Sequence, residues 1–239
     1  MKKDISIGVS SCRECLGRKQ NKLFCALADD ELENFSEDKL TNFYKKGEVI
    51  FHEGDRGHGL YCIYKGKVKV LKLGDEGKEQ IVRLANNADV LGYRSLLSDE
   101  PYFATATALE DSMICYVSKN KFQKVLKRNS DLSFKTIQLL TNDLKESEKK
   151  IINITQKPVI ERISEALLIL KDKFGFLSDG KTLNVTLSRK EMGDLAGVTP
   201  ETTIRTLSEL NKKRIINLIG KQIQLIDLGR IINLANLVD

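Results

Sequence analysis

The stretch "LSRKEMGDLAGVTPETTIRTLSELNKKRIINLIGKQIQLID", residues 187–227, contains the most specific local signals of the chain. Ser188 followed three residues later by Glu191 forms a capping box, which starts a helix, and Gly197 supplies a tight turn. Thr199 followed by Pro200 is an N-cap with proline at the first helical position. The stretch therefore predicts two short helices that are joined by a sharp turn.

The second of these helices has an apolar face and a polar face. Its apolar positions recur at steps of four and three, at Thr203, Leu207 and Leu210, and we expect them to be buried. The opposite face carries Glu201, Arg205, Ser208 and Lys212. A polar helix face of this kind can enter the major groove of DNA.

The residues after the second helix, "IINLIGKQIQLID", alternate around Gly220 and Lys221 and predict a small β wing. A helical hairpin with a merely solvated outer face would explain the helices alone. Capping, proline, glycine and wing in this order favour a winged helix-turn-helix.

Two residues of the polar face, and Ile204 beside them, have the chemistry to read bases. Arg205 suits the guanine O6 and N7 atoms, Glu201 can accept from cytosine N4, and Ile204 can contact a thymine methyl group. Another set lies where side chains contact phosphates and so fix the position of the protein on the duplex without reading sequence. This set is Ser188, Arg189, Lys190, Thr199, Ser208 and Lys212.

The region from about Tyr44 to Val117 has the pattern of antiparallel β-structure, with short alternating runs separated by Gly and Asp. The clearest hairpin is "GKVKVLKLGDEGKEQIVRL", residues 66–84, with its turn at Gly74–Gly77. The glycines nearby lack the terminal Lys-Ser/Thr of a phosphate loop, and we expect His52 and His58 to be exposed turn residues.

A heptad pattern between residues 133 and 155 predicts a long dimerisation helix. The seam positions are Ile137, Leu140, Leu144, Ser147, Ile151 and Ile154. Docking of the stripe on its own domain is the alternative. The polar Ser147 at a seam position is expected to keep the dimer marginal and therefore switchable. Pro158 predicts a break before the next helix, which turns Ile163, Leu167 and Leu170 inward.

Composition sets the broader class. The 239 residues favour two modules, and the hydrophobic content of 41% beside 30% charged residues is typical of a globular protein. No window approaches the ~18 apolar residues of a membrane span, and the amino terminus lacks an export signal, so a cytoplasmic location is expected. The net charge of +6 is weakly in favour of an anionic partner.

The five cysteines are an odd number in a chain expected in a reducing compartment, so a disulfide framework is not predicted. Cys62 and Cys115 lie in apolar strand-like segments, where a buried and inert thiol is usual. Cys12 and Cys15 instead form a CxxC pair among charged residues, which suits metal or cluster chelation. Zinc is the rival metal, although its sites usually combine two such pairs.

The order of a β-rich module, a long dimer helix and a winged helix-turn-helix resembles the cyclic AMP receptor protein / fumarate and nitrate reduction regulator (CRP/FNR) family over essentially the whole chain. The stretches that carry the resemblance are "FHEGDRGHGLYCIYKGKVKV", "VLGYRSLLSDEPYFATATALEDSMICYV" and "VTPETTIRTLSEL". The resemblance implies an α+β fold with an amino-terminal antiparallel β-roll, which is a double-stranded β-helix like that of cyclic-nucleotide-binding domains. The expected divisions are a leader with the first helix at 1–30, the β-roll at 31–130, the dimerisation helix at 131–157 and the winged helix-turn-helix at 158–239.

The resemblance also separates the branches of the family. Cyclic-nucleotide binders have a glutamate for the ribose and an arginine for the phosphate, and the matching positions here are Gly92-Tyr93 and Tyr102-Phe103-Ala104. Because a buried phosphate would lack its charged partner, cyclic AMP is not the expected effector. The oxygen-sensing branch is more similar, and this similarity implies a [4Fe-4S] cluster. The implied ligands are Cys12, Cys15, Cys25 and Cys115.

The resemblance implies a homodimeric transcription regulator that binds a pseudo-palindromic DNA site and works with RNA polymerase. Cluster binding would favour the DNA-competent dimer, and oxidation would reverse it. Two alternatives stay open: a regulator of this family with another small effector or none, and a regulatory module of an enzyme complex that does not bind DNA. No catalytic motif is found, so an enzyme is not expected.

Overall fold

The structure is a computed structural model that describes Cys12 and residues 23–37, 39–74 and 77–236. The chain divides into two compact units. The first contains the described residues up to Lys72 together with Arg83–Lys145, and the second contains Leu73–Val82 and everything from Glu146 onward. The end of the β-hairpin, Leu73–Val82, which the sequence assigns to the β-roll, therefore belongs to the second unit.

The described helices follow a 3-10 turn at Phe24–Ala26. They are α1 (Asp29–Glu37), α2 (Tyr93–Ser98), α3 (Lys119–Arg128), α4 (Ser130–Gln156), α5 (Val159–Phe174), α6 (Arg189–Ala196), α7 (Pro200–Lys212) and α8 (Leu228–Ala235). None of them is long and apolar enough to cross a membrane. Helix α1 is the first α-helix in the part of the chain that the structure describes, and it spans position 30, where the sequence analysis divides the leader from the β-roll.

The strands are β1 (Leu40–Tyr44), β2 (Val49–Phe51), β3 (Gly59–Lys65), β4 (Val68–Leu73), β5 (Glu79–Ala85), β6 (Val90–Leu91), β7 (Thr105–Ala108), β8 (Ser112–Ser118), β9 (Ile216–Ile219) and β10 (Gln222–Leu225). The β-structure begins at Leu40, four residues before the expected start. The signal for this strand was the run Leu40–Tyr44, which combines a β-branched residue with two aromatic rings.

The first eight strands form two four-stranded sheets within the described residues, with the orders β1-β8-β3-β6 and β2-β7-β4-β5. Strand β8 pairs antiparallel with β1 and β3, β6 with β3, and β7 with β2 and β4. Alternate residues point into the space between the sheets, where Ile63, Val68, Ala106 and Ile114 are buried in one apolar cluster. The expected β-roll of an α+β protein is therefore the observed fold.

A second apolar cluster, here called the outer cluster, covers the opposite face of the β1-β8-β3-β6 sheet. It joins leader residues such as Phe24 to Leu60 and Val117 of the sheet and to Phe122 and Leu132 of α3 and α4. Cys12, Cys62, Leu139 and Leu140 pack against it. The leader, the sheet and the long helix thus share one core.

The long helix α4 has 27 residues and exposes much of its predicted seam. The side chains of Ile137, Leu144 and Ile151 are 58%, 60% and 63% exposed, and Ile154 and Ser147 are also exposed. Leu140 is half-buried against the outer cluster. Such a stripe of exposed aliphatic side chains is unfavourable in water, so it fits a surface that pairs with another helix.

The long helix ends where Pro158 predicts, and α5 starts at Val159. The buried carboxylate of Glu165 accepts hydrogen bonds from Lys157 Nζ at 3.0 Å and from Asn153 Nδ2 at 2.7 Å. Lys157 Nζ also donates to the Ala235 carbonyl at 3.0 Å. These bonds fix the joint between the end of α4 and the carboxyl-terminal helices.

The carboxyl-terminal part contains α5 to α8 and the two-stranded sheet of β9 and β10. Its apolar core includes the predicted inward residues Ile163, Leu167 and Leu170. Helix α8 was not predicted. Its start was marked in the sequence by Asp227, which accepts a hydrogen bond from the Arg230 amide at 2.9 Å as an N-cap.

Candidate functional site

The two helices of the predicted helix-turn-helix, here called the reader, begin with the caps that the sequence specifies. The Ser188 hydroxyl accepts from the Glu191 amide at 3.1 Å, and the Glu191 carboxylate accepts from the Ser188 amide at 2.7 Å. Gly197 has a φ of 65° and ends α6 in the left-handed region. The Thr199 hydroxyl accepts from the Thr202 amide at 3.4 Å and starts α7. Helix-turn-helix geometry is thus encoded locally.

Gly193 allows the two helices to approach closely, and sequence reasoning did not identify it. A Cβ at this position would lie 2.5 Å from the Val198 carbonyl oxygen and 2.9 Å from the Thr203 hydroxyl. No side chain fits this space. The signal was a glycine inside a predicted helix, which is unfavourable unless packing requires it.

Helix α7 is divided into the faces that its periodicity predicts. Thr203, Leu207 and Leu210 are buried. The candidate base-reading residues are on the exposed side: Glu201 and Arg205 are exposed, and Ile204 is 51% exposed. Lys212 is also exposed, whereas Ser208 is half-buried. An acceptor, a forked donor and an aliphatic group therefore lie together on one solvent-facing surface.

The wing is attached to the helices by side-chain hydrogen bonds. Gly220 turns the chain between β9 and β10 with a φ of 60°. Its carbonyl accepts from Arg189 Nη2 at 2.9 Å, and the Asn211 side chain of α7 accepts from the Leu218 amide at 3.0 Å. Arg189, an expected phosphate contact, thus positions the wing in this structure.

Lys190, another expected phosphate contact, forms two ion pairs. Its ammonium group contacts the Glu79 carboxylate of β5 and the Asp194 carboxylate of α6, the latter at 3.4 Å. The hydrogen bond to Glu79 is the main cause of the raised pKa of Lys190. Two carboxylates therefore pair with the Lys190 ammonium group, which the sequence analysis expects to contact a DNA phosphate.

The four described cysteines all belong to the first unit. Cys115 is buried in β8 and shares a hydrogen bond of 3.6 Å with the Thr41 hydroxyl. Cys62 on β3 is the register partner of Cys115. Cys12 is half-buried against the outer cluster, and Cys25 is exposed in the 3-10 turn.

Cys15, the remaining expected ligand, lies outside the residues that the structure describes. Within the described part of the chain, no three His, Cys, Asp or Glu side chains are grouped closely enough to hold a metal ion. The donor set fits an iron–sulfur cluster in its chemistry, because the sequence contains the four thiols that such a cluster needs, and Cys12 and the Cys115 strand both border the outer cluster.

Aromatic rings pack against one another in the interior of the β-roll. The rings of Phe51 and Tyr102 stack with centroids 4.2 Å apart, and Tyr61 lies 5.2 Å from Phe51. The Tyr102 hydroxyl donates to the Gly59 carbonyl at 3.2 Å. The Tyr93 hydroxyl donates to the Asp143 carboxylate of α4 and accepts from Arg83.

Comparison with protein families agrees with both modules. The cyclic nucleotide-binding domain family matches residues 41–129, and the Crp-like helix-turn-helix domain family matches residues 161–234. The chain is 26% identical to FixK2 from Bradyrhizobium japonicum, whose structure it matches with a TM-score of 0.75 over 84% of this chain and 99% of that one.

Curated relatives are regulators. The chain is 28% identical to the fumarate and nitrate reduction regulatory protein of Vibrio cholerae, over 86% of this chain and 82% of the relative. It is also 28% identical to the anaerobic regulatory protein of Bacillus subtilis, over 73% of this chain and 74% of the relative. With both family matches, the fold and the helix-turn-helix in place, the chain belongs to the CRP/FNR family of transcription regulators.

Proposed function

We propose that this regulator is a homodimer that binds a pseudo-palindromic DNA site in the cytoplasm, acts with RNA polymerase, and responds to oxygen through a [4Fe-4S] cluster. The cluster ligands in this proposal are Cys12, Cys15, Cys25 and Cys115. The names of the relatives from Vibrio cholerae and Bacillus subtilis, which refer to fumarate, nitrate and anaerobic regulation, support a response to oxygen supply.

The observation that carries the proposal is the shared outer cluster. Cys12 of the leader and Leu139 and Leu140 of α4 all pack against it. Cys115 lies on β8, and Val117 of the same strand belongs to the outer cluster. A change in how the leader is held against β8 therefore reaches the helix that carries the dimer seam.

When bound, a [4Fe-4S] cluster supplies a thiolate-held centre that oxygen can oxidise. Cys12 and Cys15 would hold it from the leader, and Cys115 would hold it from the sheet. The residues of the outer cluster, Phe24 and Leu27 among them, keep water from this side of the sheet. Binding of the cluster by the leader cysteines would stabilise this packing. Because Leu140 packs against the outer cluster, the stabilised packing would favour one position of α4.

The link between sheet and helix is strengthened by Arg83, Tyr93 and Asp143. Arg83 and Asp143 approach to 3.6 Å, and the hydroxyl of Tyr93 bonds both. Burial raises the pKa of Tyr93, so its hydroxyl stays protonated and donates a hydrogen bond to the Asp143 carboxylate. This bond gives α4 a second fixed contact with the β-roll.

The residues inside the β-roll support a regulator that does not respond to cyclic AMP. A cyclic phosphate in this interior needs a cationic partner, and the matching positions hold Tyr102 and the buried Ala104 instead. Phe103, between them, is half exposed. Addition of cyclic AMP is therefore expected to leave DNA binding unchanged.

The proposal is tested by iron and sulfide analysis of anaerobically prepared protein, followed by a DNA titration at several salt concentrations. About four irons per chain and a brown chromophore that air removes are expected. Colourless protein that takes up no iron on anaerobic reconstitution would refute the cluster. Binding with a steep salt dependence is expected for the DNA reader, and its absence would favour a regulatory module that does not bind DNA.

A further inference from the structure

Cys62 and Cys115 form a cross-strand pair of cysteines in the β1-β8-β3-β6 sheet. The register of β3 and β8 places them directly opposite each other, next to the pair Ile63 and Ile114. Residues directly opposite in an antiparallel pair point to the same face of the sheet. The two sulfur-bearing side chains are therefore neighbours on one surface.

The hydrogen-bond pattern defines how far apart the two cysteines are. The Lys119 amide donates to the His58 carbonyl at 2.8 Å, which makes these two residues a hydrogen-bonded pair of the ladder. Bonded and non-bonded pairs alternate along the ladder. Cys62 lies four residues after His58 and Cys115 four residues before Lys119, so they are also a bonded pair. Such pairs have Cα atoms about 5.5 Å apart, which is within the range that disulfides span.

The face on which the pair lies is the one that the outer cluster covers. The hydrogen bond of 3.6 Å between the Thr41 hydroxyl and Cys115 Sγ places the Cys115 side chain on the same face as Thr41, its partner in β1. Cys62 packs partly against the outer cluster. Cys62 is half-buried whereas Cys115 is 5% exposed, so a small reagent meets Cys62 first.

We propose that Cys62 and Cys115 are a reversible redox modification site, which small-molecule disulfides oxidise to an intramolecular disulfide. The Cys62 thiolate attacks a sulfur of the small disulfide and expels one thiolate, which leaves a mixed disulfide on Cys62. The Cys115 thiolate then attacks the Cys62 sulfur and expels the second thiolate. Two electrons pass from the protein to the small disulfide, and the two protons of the protein thiols end on the two small thiols.

The geometry also indicates that the bond is easily reduced. Opposite residues in a sheet have Cβ atoms roughly 4.5–5.5 Å apart, whereas a disulfide requires about 3.8 Å. The strands must approach each other to form the bond, and strained disulfides have more oxidising potentials and are reduced readily. The proposal gives Cys62 a role that its apolar sequence context did not suggest, and it makes Cys115 a residue shared by two chemistries.

The test is to equilibrate the full-length, iron-free chain with oxidised glutathione, alkylate the remaining thiols and map tryptic peptides by mass spectrometry. Cys62 lies alone in peptide 57–65 and Cys115 alone in peptide 95–119, so their linkage is unambiguous. We expect a linked pair that is two hydrogens lighter than the sum of the peptides and that reduced glutathione separates. Full alkylation of both cysteines, or linkage of Cys115 to another cysteine, would overturn the proposal.

Three variants make the test specific. In Cys115→Ser, a glutathione adduct should accumulate on Cys62, because the thiol that resolves it is gone. In Cys62→Ser, Cys115 should stay alkylatable, and in the control Cys25→Ser the linked pair should form as in the parent protein. Adduct-free Cys62 in the first variant, or loss of the linked pair in the control, would contradict the assigned order of attack or the pair itself.

Anaerobic reconstitution with iron distinguishes this inference from the proposed cluster. If Cys115 is a cluster ligand, the reconstituted protein should resist linkage until air removes the iron. If the Cys62–Cys115 disulfide still forms in protein that has taken up iron, Cys115 is not a cluster ligand, and the proposed redox pair stands. Loss of linkage in the iron-free chain would count against the redox pair alone.

Discussion

Glu79 of β5 accepts a charge-assisted hydrogen bond from Lys190 of α6, and so a hairpin carboxylate neutralises a lysine of the helix-turn-helix motif. Gln80, the next residue, donates from its side chain to the Asp194 carbonyl of the same helix. The two contacts place the end of the hairpin against the first helix of the reader. A lysine held in this way is less available to a phosphate.

The first prediction is that Glu79→Gln increases affinity for DNA of any sequence, because Lys190 loses its main partner. Ion pairs of this exposed kind typically contribute up to ~1 kcal/mol, which corresponds to a gain of about fivefold or less. Fluorescence anisotropy with specific and random duplexes measures the change. The control Glu100→Gln removes an exposed carboxylate elsewhere, and equal gains in both variants would mean that overall charge alone is responsible.

The second prediction concerns base reading by Arg205. Arg205→Ala should lose about 1–3 kcal/mol of discrimination at one symmetric base pair, because a bidentate arginine contact to guanine is lost. Lys212→Ala should instead weaken binding to all duplexes and lower the salt slope by about one unit per chain. Titrations of half-site variants separate the two effects. A uniform loss of affinity in Arg205→Ala would show that this side chain reads no base.

The third prediction concerns the dimer seam. Leu144 is 60% exposed on α4, and Leu144→Asp should produce monomers, because a charge in an apolar helix seam is not compensated. Monomers should also fail to hold two half-sites about one helical turn apart. Sedimentation velocity measures the assembly state. The control is Gln138→Asp, which adds the same charge at an exposed position of α4 outside the predicted seam. If Leu144→Asp remains a dimer, another surface forms the dimer contact.

The fourth prediction separates cluster ligands from the neighbouring thiol. Anaerobic Cys12→Ser and Cys115→Ser proteins should lack the brown chromophore, because each loses one of four thiolates. Cys62→Ala should retain it. Absorption spectra and iron content after identical reconstitution provide the comparison. A brown Cys115→Ser protein with a full complement of iron would exclude Cys115 from the ligand set.

The fifth prediction follows from Lys150, whose ammonium group donates to the Ile81 carbonyl. Burial lowers the pKa of Lys150 from 10.5 to about 8. Below pH 8 both folded and unfolded chains carry the proton, and the folded chain bears the cost of the buried charge. Between about pH 8 and 10.5 the unfolded chain binds more protons, so the contribution of Lys150 to stability becomes more favourable as pH rises.

Relative to Lys150→Met, the parent protein should therefore gain at most about 3 kcal/mol of unfolding free energy over this pH range. Denaturant unfolding at a series of pH values measures the difference. The control is Lys149→Met, which changes the exposed lysine next to Lys150. Its unfolding free energy should change with pH in parallel with that of the parent protein. A parallel curve for Lys150→Met would show that Lys150 titrates normally.

The elements that the sequence predicted well are those specified by neighbours along the chain. Ser188 and Glu191 cap α6 across three residues, Pro200 starts α7, and Gly220 turns the wing, so each signal acts within one turn of helix or one hairpin. The faces of α7 also followed directly from the spacing of its apolar residues. Helix α8 and strand β1 were missed because they are short and their signals are weak.

The relationships that carry the new chemistry were decided by the tertiary structure. Cys62 and Cys115 are far apart in the chain, and only the register of β3 and β8 makes them partners. Glu79 and Lys190 are also far apart in the chain, and only the packing of the end of the hairpin against α6 brings their charges together. A sequence motif records local backbone preference, whereas the pairing of distant side chains depends on strand register and on burial, which arise only when the whole chain packs.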